Sequence, residues 1–252
     1  MTNSHKPWVI ITGANGGIGK ALVTEFIDSG YQVIATDISN WIEIDLEQVT
    51  FLQIDLQQFV ASEDYANAFA DRVAEITKGV GIYALINNAA IQILGNCANL
   101  NRAKWQNSFD VNLSAPFFMV QTFLADLTKN AGSIVNVSSI HATQTKKEFV
   151  AYATTKAGLS ALTRNLAVDL GNKVRINAIE PAAVGTDMLR AGFDGKEENF
   201  KMLEQFHPME RIASPQEVAE LAVFLCSGKA SFVHGACISA SGGIQGCLSD
   251  PN

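Results

Sequence analysis

The sequence lacks the features that mark nucleic-acid-binding and membrane-spanning proteins. Its 18 lysine and arginine residues face 25 aspartate and glutamate residues, which gives a formal net charge of -7. No basic run is present for binding nucleic acid or an anionic membrane surface. The longest uncharged run, residues 79–101, carries Asn87, Asn88, Asn96 and Asn99, too many amides for a bilayer interior. We therefore expect small-molecule partners.

Cysteine is also scarce. The four cysteines form no C-x-x-C pair, and four in a chain of 252 residues suggest neither a disulfide framework nor a metal site. Residues 1–7 are polar and lead directly into an apolar strand, so no stretch there is long enough for a signal peptide. The sequence thus predicts a cytoplasmic protein with reduced thiols.

Short apolar runs typical of buried strands alternate with longer stretches of helical spacing. Strands are predicted at residues 8–12, 32–37, 50–55, 83–88, 132–138, 174–179 and 237–240. Helices are predicted at residues 17–29, 62–78, 102–129 (bent near Pro116), 149–170, 196–205 and 214–227. The alternation predicts one α/β domain over residues 1–252, a doubly wound (Rossmann) sheet of seven parallel strands with helices on both faces.

A glycine-rich turn separates the first strand from the first helix. Gly13, Gly17 and Gly19 let the backbone approach a pyrophosphate, and the helix N-terminus points its N–H groups at that anion. Asp37 closes the second strand 18 residues after Gly19, where a carboxylate can accept hydrogen bonds from the adenosine ribose hydroxyls and repel a 2′-phosphate. This arrangement favours NAD over NADP. Asp55, after the third strand, either contacts the adenine amino group or serves as a turn aspartate.

Tyr152 and Lys156 are four residues apart on a predicted helix, so they share a face. An ammonium near a phenol lowers the phenol pKa, and such a pair can exchange a proton with an alcohol or ketone. The preceding strand ends at Ser138 and Ser139, where parallel-sheet enzymes place their sites.

Together these residues resemble the short-chain dehydrogenase/reductase family over residues 8–243. Residues 12–19 match its T-G-x-x-x-G-x-G motif, Asn87-Asn88-Ala89 its N-N-A motif, and Tyr152 with Lys156 its Y-x-x-x-K motif. Two positions depart from the family pattern, because Ala90 and Ala182 stand where glycine is usual.

The resemblance implies a catalytic group of four residues. Tyr152 is the general acid/base, Ser139 orients the substrate oxygen, and Lys156 lowers the Tyr152 pKa and holds the nicotinamide ribose. Asn112 holds a water that links Lys156 to solvent. The cofactor NAD is then expected to contact Gly13, Asn15, Gly16, Gly17, Ile18, Gly19, Asp37, Asp55, Leu56, Asn88, Ala89, Tyr152, Lys156, Pro181, Val184 and Thr186.

The sequence does not identify one particular substrate. A secondary alcohol or ketone is expected, with a sugar or hydroxy-acid derivative favoured over a 3-oxoacyl thioester, since the family usually links thioester reduction to NADPH. Residues 187–209 form a predicted substrate lid, and His141 is either a substrate contact or a plain loop residue. A non-catalytic NAD-binding sensor or scaffold is the alternative from another class. By resemblance, the helix that carries the apolar stretch 117–120 and the helix at residues 151–170 pair with the same helices of another subunit in a homodimer or homotetramer.

Overall fold

Within residues 6–40 and 47–248, which the computed structural model describes, seven parallel strands form one sheet. Residues 1–5 of the polar N-terminal segment, on which the signal-peptide prediction rests, lie outside the described residues. The sheet order is β3-β2-β1-β4-β5-β6-β7, which confirms the predicted doubly wound fold. The strands are β1 (Trp8–Thr12), β2 (Gln32–Asp37), β3 (Val49–Gln53), β4 (Ala84–Asn87), β5 (Ser133–Val137), β6 (Arg175–Pro181) and β7 (Cys237–Ala240).

The helices lie on both faces of this sheet. They are α1 (Gly17–Asp28), α2 (Leu56–Ala61), α3 (Glu63–Ile76), α4 (Arg102–Phe109), α5 (Ala115–Lys129), α6 (Val150–Leu170), α7 (Asp187–Ala191), α8 (Glu197–Gln205) and α9 (Pro215–Cys226). The predicted capping box at α9 is confirmed. The Ser214 hydroxyl accepts from the Glu217 N–H, and the Glu217 carboxylate accepts from the Ser214 N–H.

Successive residues of each central strand enter two separate cores, because side chains alternate across a sheet. Val9 and Ile11 of β1 pack on the face covered by α1 and α9. Ile10 points to the opposite face, where α3, α5 and the last turns of α6 cover the sheet. Both faces are buried, which explains why the strands read as continuous apolar runs.

Two local features differ from the predicted elements. A short helix, α2, precedes α3 because Asp55 caps it. The stretch at 102–129 is not one bent helix: α4 passes into a π turn at Asp110–Ser114, and α5 follows. Pro116 lies in the first turn of α5, where its missing N–H is tolerated. The interruption therefore falls before the proline.

In the part of the chain that the structure describes, no helix has the length and apolarity needed to cross a bilayer. Among the same residues, no group of three or more His, Cys, Asp or Glu side chains could hold a metal ion. The four thiols are free, with Cys226 buried and Cys97 and Cys247 exposed.

Candidate active site

The predicted site residues collect at the carboxyl edge of the sheet. Gly13 follows β1, Asp37 ends β2, Asn88 follows β4, Ser139 follows β5, and Pro181 ends β6. Since all these strands are parallel, their carboxyl ends meet along one edge, where doubly wound proteins bind ligands.

The glycines after β1 are required by close backbone contacts. Gly13 has φ +66°, and a Cβ there would lie 2.8 Å from the Ala89 Cα. A Cβ on Gly17 would lie 2.8 Å from the Thr186 Cγ2, and one on Gly19 would overlap the Gly13 carbonyl oxygen. The loop is therefore tight, and larger side chains would displace its backbone.

Helix α1 begins without a capping side chain. Its N-cap residue is Gly16, so the N–H groups of the first turn, at Gly17, Ile18 and Gly19, receive no side-chain acceptor. The helix dipole also places partial positive charge there. This donor set beside a glycine turn fits the pyrophosphate of a dinucleotide.

The two cofactor motifs are bonded to each other. The Thr12 hydroxyl accepts from the N–H groups of Asn88 and Ala89, both at 3.0 Å. The Asn88 amide donates to the carbonyls of Thr12 (2.9 Å) and Gly13 (3.1 Å). The end of β4 thus fixes the start of the glycine loop.

Asp37 is held in place by three donors. Its Oδ2 accepts from the Asn15 N–H at 3.1 Å, and its Oδ1 accepts from the Ser39 N–H (3.1 Å) and hydroxyl (3.0 Å). The carboxylate is thereby fixed beside the glycine loop. Sequence reasoning missed Ser39, although a Ser two residues after an Asp is a recognisable side-chain turn signal.

The two interpretations of Asp55 differ in what its carboxylate contacts. Its Oδ1 accepts from the N–H groups of Gln57 (2.9 Å) and Gln58 (3.4 Å), which is a helix N-cap. Leu56, the first residue of α2, is buried in the core. The structure therefore gives Asp55 a capping contact, and an adenine contact for either residue stays a prediction.

The Ser139 side chain lies next to the Tyr152 hydroxyl. Burial raises the pKa of that hydroxyl, and its interaction with Ser139 opposes the rise. The Ser139 Oγ also accepts from the His141 N–H at 3.1 Å. The side chain expected to bind a substrate oxygen thus already contacts the one expected to exchange its proton.

Lys156 is buried beneath Tyr152. Its Nζ lies 5.7 Å from the Tyr152 ring centroid and donates to the Val137 carbonyl at 2.7 Å. Burial lowers the Lys156 pKa to about 8. The main influence on the Tyr152 pKa in this structure is burial, so lowering of that pKa by Lys156 remains a prediction.

Asn112 lies in the π turn, and its side chain is fully engaged. Its Oδ1 accepts from the Ile91 N–H (2.8 Å), while its Nδ2 donates to the Ile91 carbonyl (2.9 Å) and the Thr155 hydroxyl (3.1 Å). Its backbone carbonyl, in contrast, cannot receive the usual helical bond, because residue 116 is proline. Sequence reasoning missed Thr155, which lies three residues after Tyr152.

Aromatic rings enclose one side of Tyr152. The His141 ring stacks on Phe149 with centroids 4.5 Å apart, and it meets Tyr152 edge-on at 5.7 Å. Burial, together with the ammonium of Lys146, lowers the His141 pKa to about 4. His141 is therefore neutral at physiological pH.

The segment after β6 passes close to the glycine loop. Pro181 and Val184 are buried, and the Thr186 hydroxyl caps α7 by accepting from the Leu189 N–H. Neither Ala90 nor Ala182 has a positive φ, so the alanines at these two positions introduce no left-handed strain.

Comparison with known proteins gives consistent matches over nearly the whole chain. A family model described as Enoyl-(Acyl carrier protein) reductase matches residues 13–245. The chain is 33% identical over 243 residues to the 7alpha-hydroxysteroid dehydrogenase of Escherichia coli K12, covering 93% of this chain and 92% of that protein.

Two solved structures extend the likeness. The ligand-free aldohexose dehydrogenase of Thermoplasma acidophilum is 30% identical, with a TM-score of 0.90 over 98% of this chain and 97% of that one. ElxO with NADP bound is 26% identical, with a TM-score of 0.86 over 96% of this chain and 100% of that one.

Proposed function

Since the chain belongs to the short-chain dehydrogenase/reductase family, whose members bind a nicotinamide cofactor, we propose that it transfers hydride between NAD(H) and a secondary alcohol or ketone. The observation that carries this proposal is the placement of Ser139 next to the Tyr152 hydroxyl, with the buried Lys156 Nζ 5.7 Å from the Tyr152 ring centroid. A binding module without catalysis has no need of these three groups in contact.

Tyr152 is the proton donor and acceptor of the proposed reaction. Its raised pKa keeps the hydroxyl protonated at neutral pH, which suits donation to a ketone oxygen during reduction. Ser139 orients that oxygen, since its side chain lies next to the Tyr152 hydroxyl. The bound nicotinamide supplies or accepts the hydride.

Lys156 and Asn112 complete the proposed proton path. An ammonium with a pKa of about 8 can release and regain a proton near neutral pH, and it supports the Tyr152 phenolate when the alcohol is oxidised. The Asn112 side chain is occupied by Ile91 and Thr155, so its backbone carbonyl is the group we assign to the relay water.

The glycine loop, Asp37 and the segment after β6 would hold the cofactor. Residues 12–19 would supply the first-turn N–H groups of α1 to the pyrophosphate, and Pro181, Val184 and Thr186, at and after the end of β6, would lie along the nicotinamide. Asn88 and Ala89 support the loop from β4. The related ElxO binds NADP, so the proposed preference of this chain for NAD depends on its own residue Asp37.

For the substrate we favour a sugar or hydroxy-acid derivative. The aldohexose dehydrogenase likeness supports a sugar, while the hydroxysteroid dehydrogenase likeness supports a ring-borne secondary alcohol. Asp37 disfavours the thioester alternative, because that reduction is usually linked to NADPH.

Residues 187–209 are proposed as the substrate lid. Helix α8 buries none of its described residues, and the rings of Phe193 and Phe200 contact each other at 5.6 Å within the segment. Few buried contacts imply low local stability. Hydrogen exchange should show protection here only with cofactor and substrate, and strong protection in the free protein would exclude a lid.

We also propose a symmetric homodimer or homotetramer. Phe117 of α5 and Val168 of α6 are exposed, as expected of helices that pair between subunits. Light scattering that shows only a ~27 kDa species at micromolar concentration would contradict this.

Cofactor titration followed by a substrate panel tests the proposed function. The Asp37 carboxylate repels a 2′-phosphate, so NADP(H) should bind roughly 30- to 150-fold more weakly than NAD(H). Asp37→Asn should reduce that preference, whereas Asp55→Asn, which alters the α2 cap, should keep it. Equal affinities in the wild type would contradict our assignment of Asp37. NAD binding without turnover across a broad alcohol and ketone panel would favour the binding module.

A further inference from the structure

Next to the candidate active site, β6 carries a buried carboxyl group that has no role in the proposed chemistry. Glu180 is 4% exposed and immediately precedes Pro181 on β6. We infer that Glu180 and Ser160 are positioning residues, which set the placement of Ser139 and Lys156 relative to each other; this inference rests on the proposed function.

A continuous chain of contacts links Glu180 to the catalytic turn of α6. The Ser160 hydroxyl donates to the Glu180 Oε1 at 2.7 Å, and the Ser160 Oγ lies 2.8 Å from the Ser138 Oγ. The Ser138 hydroxyl donates to the Lys156 carbonyl at 3.0 Å. All three contacts are buried, so water does not replace a lost partner readily.

The direction of these hydrogen bonds depends on Glu180. A carboxylate only accepts, so it takes the single hydrogen of the Ser160 hydroxyl. The Ser160 oxygen can then act toward Ser138 only as an acceptor, and the Ser138 hydrogen stays directed at α6. Without the carboxylate, the Ser160 hydroxyl can donate to Ser138 instead. The donor and acceptor roles of the Ser138 and Ser160 hydroxyls are then no longer fixed.

Three elements of the active site meet at this point. Ser138 directly precedes Ser139 at the end of β5, Ser160 lies one turn after Lys156 on α6, and Glu180 precedes the cofactor segment on β6. Substitution of Glu180 or Ser160 should therefore displace both Ser139, which would bind the substrate oxygen, and the Lys156 ammonium. Neither Glu180 nor Ser160 touches the reacting atoms itself.

Neighbouring groups hold this contact chain from the edge of the sheet. The Cys237 thiol of β7 donates to the Ser160 carbonyl at 3.5 Å, and the Arg164 guanidinium donates to the Cys237 Sγ at 3.3 Å. Cys237 thus connects the Ser160 backbone to Arg164, while the Ser160 hydroxyl is the hydrogen-bond donor to the buried Glu180 side chain.

Steady-state kinetics of Ser160→Ala, Glu180→Ala and Glu180→Gln test the inference. Because small displacements of reacting groups are costly, kcat should fall about 10- to 100-fold in the two alanine variants, with both KM values within about threefold of wild type. Glu180→Gln keeps an oxygen acceptor for Ser160 and should recover most of the lost kcat. The matched control is Ser133→Ala, which removes a buried hydroxyl from the opposite end of β5, where it accepts from Arg175.

The outcomes separate this inference from the proposed function. If the wild type is active but Ser160→Ala has the same kcat as Ser133→Ala, the inference is overturned and the proposed function stands. The same holds if the kcat of Glu180→Gln is no higher than that of Glu180→Ala. Should Glu180→Ala fail to fold, Ser160→Ala against Ser133→Ala decides. Absence of turnover in the wild type would overturn the proposed function and this inference with it.

Discussion

Helices α6 and α9 cover opposite faces of the sheet and bury very different side chains. The inward face of α9 consists of apolar groups and one thiol, namely Val218, Ala219, Ala222, Leu225 and Cys226. Ahead of its last two turns, α6 buries four polar side chains, Thr155, Lys156, Ser160 and Thr163, beside the apolar Ala151, Ala153 and Leu159. The apolar contacts of α6 with the sheet core come in its last turns, at Leu166, Ala167 and Leu170.

The polar groups of α6 each have a defined partner. Thr155 accepts from Asn112, Lys156 donates to the Val137 carbonyl, and Thr163 accepts from Asn136. Buried polar groups are costly without such partners, so α6 fits the sheet in one position. An apolar face such as that of α9 has no comparable requirement, since dispersion and burial are non-directional. We conclude that α9 contributes mainly stability, whereas α6 contributes mainly orientation.

Tyr152→Phe is the strongest test of this difference. It removes the proposed proton donor while keeping the ring, so kcat should fall by at least the roughly 10²–10⁴-fold associated with general acid–base catalysis. NAD affinity and the free energy of unfolding should stay close to wild type.

Tyr65→Phe is the matched control, since it also removes one hydroxyl, one that accepts from the Asp55 N–H outside α6. Turnover should survive in this control. If Tyr152→Phe keeps most of its kcat, another residue transfers the proton and α6 loses its assigned role.

Leu225→Ala should produce the opposite pattern. Leu225 is fully buried on α9, and truncation of such a side chain costs about 2–5 kcal/mol through lost burial and the remaining cavity. Urea denaturation should show a lower midpoint with an unchanged slope, while kcat measured well below the transition stays at the wild-type level. The half-buried Leu221 offers a control, and Leu221→Ala should lose less stability. A large fall in kcat for Leu225→Ala would show that α9 also orients the site.

The same difference explains what could be predicted from the sequence. The core face of α9 follows from its apolar spacing, and the capping box marks its start. The inward face of α6 could not be found this way, because Thr155, Ser160 and Thr163 have the composition of a solvent-exposed face. Tyr152 and Lys156 were found through their spacing, the serines after β5 and their match to the Y-x-x-x-K motif.

Two further features escaped prediction for physical reasons. The π turn at Asp110–Ser114 inserts one extra residue, which hardly changes the apolar period of the surrounding helices. Glu180 is a buried acidic residue on β6, and its hydrogen-bond partner, Ser160, lies 20 residues earlier in the chain. Local pattern carries no information about such a pairing, whereas the positions of the strands and the glycine loop follow from it.

The smallest effect that we expect is a pH dependence confined to the active-site face. His141 has a pKa of about 4 in the folded protein, lowered by burial and by Lys146, against about 6.5 unfolded. Above pH 6.5 both states are neutral at this group. Between pH 6.5 and 4 only the unfolded state gains the proton, so the folded state loses stability as the pH falls.

His141→Phe isolates this contribution, because a phenyl ring can still stack on Phe149 without titrating. A shift of this size in a fully buried group corresponds to more than 3 kcal/mol, and partial solvent access reduces the expected effect to roughly 1–2 kcal/mol. The free energy of unfolding of the wild type should therefore fall relative to the variant by that amount between pH 6.5 and 4, and the difference between them should be constant at higher pH.

The free energy of unfolding of Leu225→Ala should show the same pH dependence as that of the wild type. Burial raises the pKa of its neighbour Cys226 to about 12, far from the acid range. Parallel curves for His141→Phe and wild type would mean that the imidazole is solvated, and the acid response would then have to be sought away from the face of α6.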